Sequence, residues 1–318
     1  MKNINTLVED IYSLFGSTPH KVSEENAENF GHSLAKLISK RMGERQAPSL
    51  RLSNLGSKCK RQLWYAINKP ELGEELPPWV RIKFLFGDIL EHMLLFLARE
   101  AGHKVEGEQD EITIGDVKGH RDAVVDGRLV DVKSASTYSF KKFETHKLQD
   151  DDPFGYIDQL GGYLAGSSSD PLVVDKDVAS FLAIDKTLGH IVLDTYPATG
   201  TDYERLVEET KDILNASEPP PRAYEDVPEG KSGNRKLSTA CSYCAFKHTC
   251  WPGIRTFNYS TGPTFLTVVN REPRVTESWR LHVHVRIHYV QRTKNWNSRL
   301  FQWDHKTRFN DTYNCCSS

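Results

Sequence analysis

An α/β fold is what this sequence predicts, and three features say so. Apolar segments with helical spacing fill residues 1–101, and short strand-like runs follow through residue 132. Strand and helix candidates then interchange up to residue 215. Cysteines bracket this alternating stretch, one at Cys59 and three in Cys241-Ser-Tyr-Cys244-Ala-Phe-Lys-His-Thr-Cys250.

Each element has its own justification. Leu7, Ile11 and Leu14 are spaced for one helix, and Leu34, Leu37 and Ile38 for a second, with a boundary near Ala47-Pro48. Cys59 precedes Leu63, Trp64 and Tyr65, the start of another helix. Residues 79–101 read as a long helix that is apolar on most sides and is therefore expected to be buried. Ile112 and Ile114, then Ala123–Val125, then Leu129–Val132 read as strands, with Asp126-Gly127 as a tight hairpin turn. Asp152-Pro153 reads as a cap followed by a first-turn proline, opening a helix through Leu164. Phe181–Ile184 and Ile191–Leu193 are two more strands joined by a turn at Leu188-Gly189, and residues 202–215 one more helix. Glu218 to Asn234, rich in Pro, Glu and Gly, reads as a linker into the cysteines.

Composition narrows the classes. The 318 residues are 38% hydrophobic and 26% charged, enough for a soluble core, and no apolar run is long enough for a membrane helix. No secretory signal pattern opens the chain, so a cytoplasmic setting is expected, in which cysteines serve as ligands more often than as disulfides. The net charge of −2, from 41 Lys and Arg against 43 Asp and Glu, excludes a protein that coats nucleic acid by bulk charge. It leaves room for local basic patches around Lys58, Lys60 and Arg61 or Lys141, Lys142 and Lys147.

Four positions in the middle of the chain carry chemistry. Asp131 and Lys133 lie two apart on a strand, so both side chains leave one face while Val132 points into the core and keeps its carbonyl available. Asp122 precedes the Asp126-Gly127 turn, which folds it back toward Asp131. Two carboxylates and an ammonium then share one small volume, a setting for a hard divalent cation. Gln159 and Tyr163 are four apart on the next helix and share a face. An acid-x-Lys pair alone is most often a solvated ion pair; the order and spacing of all these residues is the more specific signal.

The cysteines have C-x2-C-x5-C spacing, with Cys59 available as a fourth thiolate. Four converging thiolates imply structural zinc or an iron–sulfur cluster.

In this order the residues resemble a RecB-type nuclease of the PD-(D/E)XK superfamily, iron–sulfur branch. That branch includes the CRISPR-associated RecB-like exonucleases and AddB. Gly87-Asp-Ile-Leu-Glu91 fills the family's first element, with Glu91 where many relatives carry histidine; His92 is one position off, about 100° around the helix. Asp122, then Asp131 with Lys133, then Gln159 with Tyr163 fill the others, over about Leu52 to Pro252.

The resemblance implies a restriction-endonuclease-like core with a mixed central sheet flanked by helices. A four-cysteine region would join the two ends of that core. It implies that Glu91, Asp122, Asp131 and the Val132 carbonyl bind Mg²⁺ or Mn²⁺. Lys133 would orient or help deprotonate water, and Gln159 and Tyr163 would position DNA. Cys59, Cys241, Cys244 and Cys250 would hold a 4Fe–4S cluster, zinc being the alternative. The expected layout is an N-terminal helical extension over 1–50, a nuclease domain over 51–255 and a C-terminal extension over 256–318.

The activity implied is that of a DNA exonuclease on single strands or duplex ends, in DNA recombination or repair in a bacterial or phage-infected cell. Any helicase or annealing protein would come from another chain, because no Gly-x-x-x-x-Gly-Lys-Ser/Thr loop is present. The alternatives are a structure- or sequence-specific endonuclease and a non-catalytic DNA-binding iron–sulfur subunit. In the tail, Ser278 to Ser318 holds seven Lys and Arg, two Asp and no Glu. Residues 281–289 alternate as a strand would, which reads as an extra hairpin or a poorly ordered extension, with Cys315 and Cys316 as free thiols.

Overall fold

The structure is a computed structural model that describes residues 2–43 and 47–278. The alternating residues 281–289, with His282 and His284, and the pair Cys315 and Cys316 lie outside the described residues.

The helices before the sheet are α1 (Leu7–Ser13), α2 (Glu24–Met42), α3 (Leu52–Leu55), α4 (Lys60–Asn68) and α5 (Pro78–Glu100). Strands β1 (Val105–Glu106), β2 (Glu111–Ile114), β3 (Val117–His120), β4 (Ala123–Val125) and β5 (Arg128–Ala135) come next. Then come α6 (Thr137–Glu144), α7 (Tyr156–Gly166), β6 (Val178–Asp185), β7 (Ile191–Pro197) and α8 (Tyr203–Asn215). The last part holds β8 (Val227–Pro228), β9 (Arg235–Lys236), α9 (Thr239–Ser242), α10 (Lys247–Cys250), β10 (Arg255–Tyr259), β11 (Gly262–Val268) and β12 (Glu277–Ser278).

The central sheet has the order β1-β4-β5-β6-β7 and is mixed: β5 and β6 are parallel, and the other pairs are antiparallel. The protein is thus α/β, with a mixed sheet flanked by helices. Helix α6 and helix α7 fill the crossover from β5 to β6, as a parallel pair requires. Alternation divides β5 cleanly. Val130 and Val132 face a core built with Leu90, Leu94 and Ala98 of α5 and Leu7 and Ile11 of α1. Leu129 and Ala135 face the opposite core, with Phe140, Leu160, Tyr163 and Phe181. With both faces covered, β6 is buried over nearly its whole length. The Asp126-Gly127 turn has positive φ at both residues, 49° and 86°, as a two-residue hairpin demands.

Four expectations need correction. Helix α5 is not buried throughout: its first half exposes Trp79, Ile82, Phe84 and Phe86, and its buried residues begin at Leu90. Helix α7 starts at Tyr156, not beside Pro153. Gly155, at φ 73°, makes the turn into it, and Asp152 Oδ2 accepts from Ile157 N at 3.0 Å. The N-terminal segment is no mere extension, since Leu7 and Ile11 are fully buried in the core. The boundary at residue 255 cuts through a second, antiparallel sheet ordered β12-β10-β11-β9-β8, which joins the Pro- and Gly-rich linker to residues 255–278. No described helix is long and apolar enough to cross a membrane.

Candidate active site and thiol cavity

The β4–β5 hairpin builds the centre of the site. The ladder ends where Ala123 pairs with Val130, and just beyond it Asp122 Oδ2 accepts from Val132 N at 2.7 Å. Asp131 is only 1% exposed, and neither of its oxygens has a hydrogen-bond donor. Lys133 Nζ stands 2.6 Å from Asp131 Oδ2 as a charge pair without hydrogen-bond alignment. The same ammonium donates to Gln159 Oε1 at 3.3 Å, and Gln159 Nε2 donates to Tyr163 Oη at 3.1 Å. Sequence spacing thus delivers a chain of contacts from Asp131 through Lys133 and Gln159 to Tyr163.

Glu91 reaches this cluster from α5. Gly87 one turn earlier lies over Ser134, where a Cβ would come to 3.2 Å of the hydroxyl, so the glycine lets helix and strand approach. His92 turns back along its own helix, Nδ1 lying 3.1 Å from the Asp88 carbonyl.

Electrostatics show how crowded the carboxylates are. Burial, then the charges of Asp131 and Asp88, push the Glu91 carboxyl up to about 7, even though Gln109 donates to it. Burial and the charges of Asp131 and Glu91 raise Asp122 well above the usual carboxylate range. For Lys133 burial opposes the charge, but Asp131 and Asp122 outweigh it, so its pKa is raised and it holds its proton. Burial followed by Asp131 raises the Tyr163 phenol to about 12. Glu91, Asp122 and Asp131 together outnumber the single ammonium among them, and such an imbalance favours an added cation.

Two residues near the site were missed from sequence. Gln109 donates to Glu91 Oε1 at 2.8 Å from a left-handed backbone, φ 56°, and nothing in its sequence context marks it. Tyr156 lies under the ammonium, with Lys133 Nζ 4.6 Å from its ring centroid and 5.9 Å from that of Phe181. Its spacing of three before Gln159 and seven before Tyr163 puts it on their helix face and could have revealed it.

Far from this cluster in sequence, Cys59, Cys241, Cys244 and Cys250 line one cavity together with Tyr65, Phe246 and Trp251. All four are half-buried free thiols. Burial and then the other three thiols push Cys244 up to about 11, while burial raises Cys59, helped by Cys241 and Cys250. Phe246 N donates to Cys244 Sγ at 3.4 Å, the kind of contact that stabilises a thiolate ligand. Arg61 donates to the Pro219 and Pro220 carbonyls, and Arg222 to that of Cys250, so the linker packs against this region.

Among the described residues no three His, Cys, Asp or Glu side chains stand in a ready metal-holding group. The donors gather in both places without closing on a common centre.

No family model matches the chain, and no curated protein matches it. Among solved structures, the crystal structure of SSO0001 aligns with 70% of this chain and 96% of its own, at 19% identity and a TM-score of 0.39. That likeness is too slight to carry an inference.

Proposed function

We propose that this chain is a metal-dependent nuclease, a RecB-like member of the PD-(D/E)XK superfamily that hydrolyses DNA from single-stranded or duplex ends. One observation carries the reading. Asp131 is a buried carboxylate paired with the Lys133 ammonium at 2.6 Å and set beside two further carboxylates, Glu91 and Asp122. Three crowded carboxylates against one ammonium leave negative charge that burial makes costly, and that excess marks a place for a cation.

The donor set is all oxygen, which suits Mg²⁺ or Mn²⁺, and Glu91, Asp122, Asp131 and the Val132 carbonyl are the residues to hold it. A bound divalent ion supplies Lewis acidity and a more acidic water. The remaining work falls to the chain. Lys133, between Asp131 and Gln159, is placed to donate to a phosphate oxygen or to orient or help deprotonate water. Gln159 fixes the ammonium, and Tyr163 fixes Gln159. Tyr156 and Phe181 supply an aromatic floor that keeps the ammonium pointed into the site.

The four cysteines suit a 4Fe–4S cluster, with zinc as the alternative. A cluster there would tie the start of α4 to the α9–α10 segment across a very long loop, a structural role. The preference for DNA ends comes with the family resemblance, as does reliance on a separate unwinding or annealing partner.

The test compares anaerobically purified wild type and Lys133→Ala on labelled linear and circular DNA, single-stranded and duplex, with Mn²⁺ or EDTA. Metal-dependent loss of linear DNA by wild type alone is the expected result, with iron and sulfide, not zinc, in the purified protein. Cleavage of circles would make it an endonuclease. No cleavage by folded wild type would remove the enzyme reading.

A further inference from the structure

Residues 107–110 carry the chain from β1 of the central sheet to the β2–β3 hairpin, and they are held more firmly than a connection requires. On one side Glu108 is ion-paired with Arg99 of α5. On the other, Arg121 is buried and donates from Nε to the Gly107 carbonyl at 3.1 Å and from Nη2 to Asp110 Oδ2 at 2.8 Å. Its other amino group pairs with Asp170. Gly107 has φ 58°, and a Cβ there would come to 2.4 Å of the guanidinium, so the glycine is what lets the arginine close on the loop.

This clamp presents Gln109 to the carboxylates. Its side-chain Nε2 donates to Glu91 Oε1 at 2.8 Å, and its backbone N–H donates to the Asp122 carbonyl at 3.3 Å. One residue thus touches two of the three acidic residues of the site, on two different elements. It does so from left-handed backbone, φ 56°, which glycine adopts freely and other residues adopt at a cost. Glycine would make the same turn without strain, so what glutamine adds at this position is its amide. Docking of the loop on α5 does not call for that amide, because Glu108 and Arg99 already tie the two together.

We propose that Gln109 is a positioning residue of the divalent-ion site. It fixes the Glu91 carboxylate by Oε1, leaving Oε2 for Mg²⁺ or Mn²⁺, and holds the Asp122 backbone through its carbonyl. Carboxylate ligands keep their orientation when a neighbour hydrogen-bonds to them from outside the coordination sphere. An amide suits the task because it is a neutral donor: a lysine or arginine here would offset the negative charge that is to attract the ion. The inference deepens the proposed function and rests on its reading of Glu91, Asp122 and Asp131 as the ligands.

The experiment titrates Mn²⁺ by isothermal calorimetry into the full-length protein, purified anaerobically and exchanged into metal-free buffer, with no DNA present. It compares wild type, Gln109→Gly, Gln109→Met and Asp131→Asn, with urea unfolding of each in chelator. Gln109→Gly keeps the turn and the backbone N–H; Gln109→Met keeps the length of the side chain and removes the donor. Losing such a bond to a ligand typically weakens metal binding about 10–100-fold, and water can replace part of it at the exposed Gln109, so about a tenfold rise in Kd is expected for both. The urea midpoint of Gln109→Gly should stay near that of wild type, and Asp131→Asn should lose the site.

Wild-type affinity in either Gln109 variant would overturn the proposal. So would affinity lost only together with a lowered urea midpoint in both variants, because the amide would then serve the fold. If either result comes with Mn²⁺ binding that Asp131→Asn abolishes, the ion site stands and Gln109 alone loses its role. No Mn²⁺ binding by wild type, or binding that Asp131→Asn leaves intact, removes the ion site and the role of Gln109 with it.

Discussion

Glu91→Gln in metal-free protein should raise stability, and the size of the gain should depend on pH in a direction fixed by the structure. The Glu91 carboxyl is held at about 7 against an ordinary 4.5, first by burial and then by the charges of Asp131 and Asp88. A folded-state pKa raised above the unfolded value means that the native protein binds the proton more tightly. That stabilisation is complete below about 4.5 and is lost as pH rises through about 7. At about 1.4 kcal/mol per unit, the loss across this window is about 3 kcal/mol, an upper bound because Glu91 is partly solvated. Glutamine cannot ionise, and its Oε1 can still accept from Gln109 Nε2, the bond Glu91 makes at 2.8 Å.

The assay is urea unfolding of both proteins in chelator at pH 5 and pH 8. Near-equality at pH 5 and a more stable variant at pH 8 are expected. Saturating Mn²⁺ at pH 8 should then narrow or reverse the difference, since ligand binding to the native state stabilises by mass action and the variant has lost a donor. A variant no more stable than wild type at pH 8 in chelator would refute the crowded-carboxylate account of this site.

Other perturbations test the frame that holds it. Arg121 is 1% exposed and ion-paired with Asp110 and Asp170, so Arg121→Ala should cost about 3–5 kcal/mol in the same unfolding assay. A Cβ on Gly161 would collide with the Tyr203 hydroxyl, so Gly161→Ala should lower stability by about 1–3 kcal/mol, read from the urea midpoint. Cys59→Ser should abolish iron and sulfide incorporation as measured by chemical analysis; a variant with a full complement of iron would remove Cys59 from the ligand set.

Much of the site was legible because its residues are tied by local geometry. Strand alternation put Asp131 and Lys133 on one face, a two-residue turn set Asp122 against Asp131, and helical spacing joined Gln159 to Tyr163. What escaped was non-local. The second sheet pairs Lys236 with Leu266, and Arg255 bonds to Glu277, through short strands that have no periodicity to read. The apolar run over 79–101 showed that α5 would be hydrophobic, but periodicity says nothing about which of its turns stay exposed. Arg121 stood unremarked beside Asp122, because the reason for a buried arginine lies in Asp110 and Asp170.

The polar groups around the hairpin are answered nearly everywhere except at the proposed reacting centre. Arg121 donates to the Gly107 carbonyl and to two carboxylates. At the far end of the hairpin His103 lies between Asp126 at 2.7 Å and Asp10 at 3.2 Å, fixing the turn to α1. Asp185 is buried on the neighbouring strand, yet its Oδ1 takes donors from Thr137, Thr187 and Leu188. Asp131 is held by the Lys133 ammonium, 2.6 Å from its Oδ2, while Glu91 and Asp122 add two further carboxylates to the same place. Gln109, which donates to Glu91, also sits in the left-handed region, at φ 56°. The excess of carboxylate over ammonium at this one point is what the proposed divalent ion would answer.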